Sequence, residues 1–166
     1  MQPIQTQATH MKINFLCTQH RNWLSHQPDE ALKCCARYSE TGWQLNQQQR
    51  WKDALPYMGC AYETASIILS TEALAPDDAR EWLMHTLSGL TQTLIKLNHL
   101  EVCEYIYEGT MDLLRKEPAD SPTSKFNITR QINQLARELR QLRYPGSEIS
   151  TPTQRLTQSQ WSTNVH

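Results

Sequence analysis

From Ile13 to Leu142 apolar residues recur every three or four positions and nowhere alternate with polar ones for long, the period of helices that bury one face. A first short helix carries Ile13, Leu16, Cys17, His20, Trp23 and Leu24 and ends near Ser25. Pro28 suits the first turn of a second helix, with Asp29 and Glu30 at its positive end and an inward stripe of Leu32, Cys35, Tyr38, Gly42 and Leu45. After the polar run Gln47 to Gln49, a third helix shows Trp51, Ala54, Leu55, Met58, Ala61, Tyr62, Ala65, Ile68 and Leu69; Pro56 inside it implies a kink or a late start. Ala75 and Pro76 open a fourth helix bearing Trp82, Leu83, Leu87, Leu90, Leu94 and Leu97. The turn at Asn98 and His99 leads to a fifth with Leu100, Cys103, Ile106, Tyr107, Met111 and Leu114. Residues 117–124 read as a linker, beyond which Ile128, Ile132, Leu135, Leu139 and Leu142 form one narrow seam on a sixth helix ending before Pro145 and Gly146. Residues 1–10 and 146–166 lack this period and read as a disordered leader and tail around one all-α domain at 11–145, with Met11 an alternative start.

Sliding the chain against itself by 49 residues brings helices two and three onto helices four and five. Tyr38 then falls on Leu87, Leu45 on Leu94, Trp51 on Leu100 and Met58 on Tyr107. Small residues recur where antiparallel helices cross closely: Ala54 on Cys103, and Ala61 on Thr110.

The series Tyr38, Thr41-Gly42, Leu45, Trp51, Ala54, Met58, Ala61, with its weaker copy Leu87, Leu90-Thr91, Leu94, Leu100, Cys103, Tyr107, Thr110, resembles the tetratricopeptide repeat over about residues 28–116. The chain departs from that family in its 49-residue offset, against the family's ~34, and in having no Pro to close the first copy at Ser66. The resemblance implies tandem antiparallel hairpins in an α-α superhelix, with an N-terminal helix and a C-terminal capping helix. It also implies that helices two and four line a concave groove that holds another protein or peptide, as an adaptor, a regulator or a client-holding chaperone. Small helical-repeat chaperones of bacterial secretion have a similar size and layout. The groove-facing positions are then Ser39, Trp43, Asn46, Gln47, His85, Ser88, Gln92 and Lys96. Trp43 is the expected anchor, because an aromatic off the apolar stripe of its own helix is a common binding hot spot. An alternative packs Trp43 on the N-terminal helix, and an ordinary six-helix bundle explains the same stripes.

Composition narrows the classes. With 39% apolar and 20% charged residues the 166-residue chain suits one soluble domain, and no aliphatic run approaches the ~20 residues that cross a bilayer. The absence of a secretory pattern, with five irregularly spaced cysteines, points to reduced thiols and a cytoplasmic setting. The net charge is −1, but residues 53–120 hold twelve acids against four bases and residues 125–166 six bases against two acids. Arg130, Arg137, Arg140 and Arg143 on helix six form the one plausible nucleic-acid patch, yet the acidic centre would repel a polyanion, so a nucleic-acid-associated regulator is the alternative function. Those arginines would otherwise neutralise the acidic ridge Glu101, Glu104, Glu108 and Asp112. The narrow seam also suits a short coiled-coil homodimer, though about two heptads are too few to hold one alone.

No catalytic set and no cofactor are expected. His99 and Cys103 stand four apart, but Cys103 occupies a crossing position and no Gly-rich loop offers an oxyanion site. Cys17, His20, His26, Cys34 and Cys35 lack a Cys-x-x-Cys pair, and adjacent Cys34 and Cys35 point about 100° apart on a helix, so a metal is not expected either.

Overall fold

The computed structural model describes residues 13–146. Among them are six helices and no strand: α1 (Thr18–Ser25), α2 (Pro28–Gln47), α3 (Trp51–Ser70), α4 (Pro76–Lys96), α5 (Leu100–Arg115) and α6 (Pro122–Arg143). The all-α class expected from the period is observed; the expected leader at 1–10 and the tail beyond Gly146 lie outside the described residues.

Local chemistry sets the helix starts. Pro28, Pro76 and Pro122 each stand in a first turn, where the missing N–H has no helical partner to lose. Ser121 caps α6 by accepting the Ser124 N–H at 3.0 Å, so the linker ends at Ser121 and α6 starts earlier than its apolar seam indicates. α3 begins at Trp51 and runs through Pro56, so it does not start late; Pro56 and Lys52, whose carbonyl loses its helical donor, are both exposed.

The first element departs most from its expected form. Residues 13–17 are not helical, and α1 begins only at Thr18, with the Cys17 Sγ accepting the His20 N–H at 3.4 Å. The backbone N–H groups of Phe15 and Leu16 donate instead to the Glu63 carboxylate of α3, each at 2.8 Å, and Arg21 donates to the same carboxylate at 2.9 Å. Phe15 lies over Gly59, where a β-carbon would collide with its ring.

Two helix ends 49 residues apart share one backbone geometry, and the end of α3, at Glu72 with φ 54° and Ala73 N–H on Ile68 O at 3.3 Å, is of the same kind. Gln49 and Asn98 hold positive φ of 59° and 60°, and the residues after them, Arg50 and His99, have φ/ψ of −89°/60° and −93°/60°. In one turn Arg50 N–H reaches Leu45 O at 2.9 Å, and in the other His99 N–H reaches Leu94 O at 2.9 Å. Gln49 bonds Asn46 O at 2.9 Å as Asn98 bonds Ile95 O at 3.0 Å. Each is a Schellman helix end with a side chain where glycine is usual. The short turns make α2 with α3, and α4 with α5, antiparallel.

Packing follows the small residues. Ala54, Ala61, Cys103 and Thr110 are all fully buried. α3 packs extensively against both α2 and α4, α4 touches α5 more lightly, and α1 rests on α2 and α3. On α2 the buried stripe is Ala31, Cys34, Cys35, Gly42 and Asn46, while Leu32, Tyr38 and Leu45 are half-buried at its edge. Met58 on α3 sits between Gly42 of α2 and Gly89 of α4, filling the room both glycines leave. α6 lays Ile128, Leu135 and Leu139 on α5, and at its end Arg143 donates to Glu104 at 2.9 Å and Glu108 at 2.6 Å.

Candidate functional site

The arrangement leaves two open clefts that meet at Trp43. The first, about 520 Å³, lies between α2 and the N-terminal half of α4 and is lined by Ser39, Glu40, Trp43, Glu81, Trp82 and His85, among others. The second, about 640 Å³, continues past Trp43 along Ser88, Gln92, Ile95 and Lys96 to Tyr107 of α5 and to Glu138, Gln141 and Leu142 of α6. Together they form a groove whose walls are α2, α4 and α6.

Helix geometry explains which side chains reach it. Ser39 and Trp43 are four apart on α2, and His85, Ser88, Gln92 and Lys96 step by three and four along α4, so each set shares one face. The Trp43 and His85 rings stand 5.4 Å apart at 35°, across the space between the two helices. Trp43 is therefore seated against α4 and not on the N-terminal helix. Its Nε1–H is buried and has no acceptor among the described residues, which costs about 1–3 kcal/mol in a site built only for stability. Lys96 lies over the Trp51 ring at 5.7 Å.

Two of the positions carried over from the repeat pattern stand elsewhere. Asn46 is buried and lines neither cleft: its Oδ1 accepts from the Thr93 hydroxyl at 3.0 Å and its Nδ2 donates to Gly89 O at 3.5 Å, tying α2 to α4 beneath the groove. Gln47 is exposed and also lines neither cleft. Glu40, Glu81, Trp82 and Ile95 line the clefts although the pattern did not select them; they fall on the same two helix faces, which was the signal available.

The floor of the second cleft is pinned by polar contacts. Tyr107 donates its hydroxyl to Glu138 at 3.1 Å, and burial holds its pKa well above the ordinary phenol range. Gln134 donates to the other oxygen of Glu138 at 2.9 Å.

The remaining candidates separate. Arg143 is taken up by Glu104 and Glu108, while Arg130, Arg137 and Arg140 are exposed and make no ion pair with the described residues. Cys103 is fully buried and its thiol is pushed up to about 12 by burial first and the Glu104 charge second, so no thiolate is available to an exposed His99 at neutral pH. Cys35 donates to Ala61 O at 3.4 Å, Cys17 caps α1, and His26 bonds Asn22 O at 2.8 Å, so these side chains do not converge. Among the described residues no three His, Cys, Asp or Glu side chains gather as a metal site, and no helix is long and apolar enough to cross a membrane.

Compared with family models, with curated proteins and with solved structures, the chain finds no match.

Proposed function

We propose that the protein is a non-catalytic interaction module of tetratricopeptide-like design, which holds a peptide or helix of another protein in the groove along α2, α4 and α6. The observation that carries this reading is Trp43: a large, half-buried indole at the meeting point of both clefts. Indoles of this kind supply contact area with little loss of side-chain freedom, and such residues dominate binding energies. The repeated turns at a spacing of 49 residues support a design of stacked hairpins, and α6, with its single seam, suits the cap that such a stack requires. An adaptor and a client-holding chaperone are two versions of the same use.

A pull-down from native lysate with three baits tests it. A partner bound by the natural chain should be lost on Ser88→Trp, which fills the second cleft, and kept on Arg130→Glu with Arg137→Glu, with or without nuclease. A partner kept by Ser88→Trp and lost on nuclease treatment would favour the second reading, a nucleic-acid-associated regulator using α6. That reading rests on Arg130, Arg137 and Arg140, which carry no ion pair among the described residues. Binding to phosphates would then fall steeply with salt.

A further inference from the structure

We infer that the first cleft receives a basic side chain, arginine or lysine, of the bound peptide; this rests on the groove reading above. The walls carry one carboxylate each, Glu40 on α2 and Glu81 on α4, and the indoles of Trp43 and Trp82 line the same cleft.

Several surface carboxylates are neutralised within the protein, and these two are not. Glu30 pairs with Lys33, Asp53 with Arg50, Asp77 with Arg80, Asp112 with Arg115, and Glu104 and Glu108 share Arg143. Glu40 and Glu81 have no ion pair among the described residues, a state they share with Asp29, Glu72, Asp78, Glu101, Asp120 and Glu138, but they alone of these line the first cleft. Arg37, one turn before Glu40, contacts the Cys34 thiol at 3.9 Å instead.

A ligand that covers the cleft must remove water from both carboxylates. An apolar or acidic side chain would leave them desolvated and uncompensated, a large penalty. A guanidinium or ammonium group matches them with charge-assisted hydrogen bonds, and its aliphatic stem lies well on indole. The ring faces of tryptophan also attract a cation more strongly than any other side chain's. The first cleft thus combines opposite charge from both walls with an aromatic lining, whereas the second holds Lys96 and the amides of Gln92 and Gln141, and its one carboxylate, Glu138, already accepts hydrogen bonds from Tyr107 and Gln134.

The test uses a phage-displayed library of random dodecapeptides selected on the immobilised full chain. The selected peptides are then measured by fluorescence anisotropy against the natural chain, Glu40→Gln with Glu81→Gln, and Ser39→Trp with Ser88→Trp. All four positions are exposed or half-exposed, and circular dichroism melting confirms that each bait is folded. The expected result is a shared Arg or Lys position, affinity reduced about tenfold or more on the double-Gln chain, and loss of binding on the filled groove. Peptides that need the open groove but share no basic position, or bind the double-Gln chain equally well, would overturn the inference and leave the groove reading standing. Peptides that still bind the filled groove, or a library yielding none above bare support, would overturn both.

Discussion

The sulfur of Met58 occupies the space that a β-carbon on Gly89 would need, so α3 and α4 approach as closely as they do because residue 89 has no side chain. Gly89→Ala would gain helix propensity, but it must push Met58 and the edge of the Trp43 ring aside. The expected outcome is a loss of about 1–3 kcal/mol. A β-carbon at Gly109 on α5 would meet nothing within 4 Å, so Gly109→Ala should stabilise by about 0.5–1 kcal/mol. Denaturant titration of the two variants should move in opposite directions.

The two Schellman turns make a second prediction. Gln49 holds a φ of 59° with a full side chain, a conformation that glycine adopts without steric penalty. Gln49→Gly should raise stability by about 0.5–1 kcal/mol, while Asn98→Gly should gain less, since asparagine tolerates that region better. Thermal melts that fell for Gln49→Gly would contradict the geometry assigned to the turn.

Thiol chemistry offers a third. Cys17 is exposed, whereas Cys35 and Cys103 are buried and their thiols are pushed up to about 12, chiefly by burial. An aromatic disulfide reagent should label Cys17 first in the native protein and reach Cys35 and Cys103 only on unfolding. The folded state holds these two protons more tightly than the unfolded chain does. Their contribution to stability is therefore complete below the ordinary thiol pKa of about 8.5 and is lost as pH rises from there towards 12. Denaturation midpoints measured from pH 7 to 11 should fall, and substitution of both cysteines by alanine should flatten that part of the fall.

Glu63 carries the fourth. Its carboxylate holds the backbone of Phe15 and Leu16, so Glu63→Gln should weaken the attachment of residues 13–17 by about 1.5–3 kcal/mol. Amide hydrogen exchange should accelerate at Phe15 and Leu16 while the α4–α5 core keeps its protection. Uniform acceleration would show instead that the segment is integral to the core.

Much of the fold is legible in the sequence because helices announce themselves locally. Apolar spacing, the prolines at first turns and the small residues at crossings all lie within a few residues of the feature they specify. The two turns at Gln49 and Asn98 are legible too, since each follows a polar break between helical stripes. What escapes depends on distant partners. The non-helical form of residues 13–17 comes from a carboxylate 47 or 48 positions away, and Leu16 looks the same in sequence whether it starts a helix or leans on one. Gly89 gives no local sign of its role, which lies in the space Met58 fills. Asn46 has the pattern of a surface amide on a polar face, and only Thr93, on another helix, makes it a buried tie. Of the candidate groove, the positions on α4 follow from one helix face, but the contribution of α6 requires knowing where that helix docks.

Every helix here packs chiefly on neighbours one or two places along the chain. Contacts so short in sequence close small loops and favour rapid folding. Such a chain can assemble in the order of its synthesis: α2 and α3 zip first, α4 joins them and forms the first cleft, and α5 follows. The second cleft gains its far wall only when α6, the last of the six helices to be synthesised, comes to rest on α5. The whole groove thus exists only once α6 has emerged, a timing set by the order of helices alone.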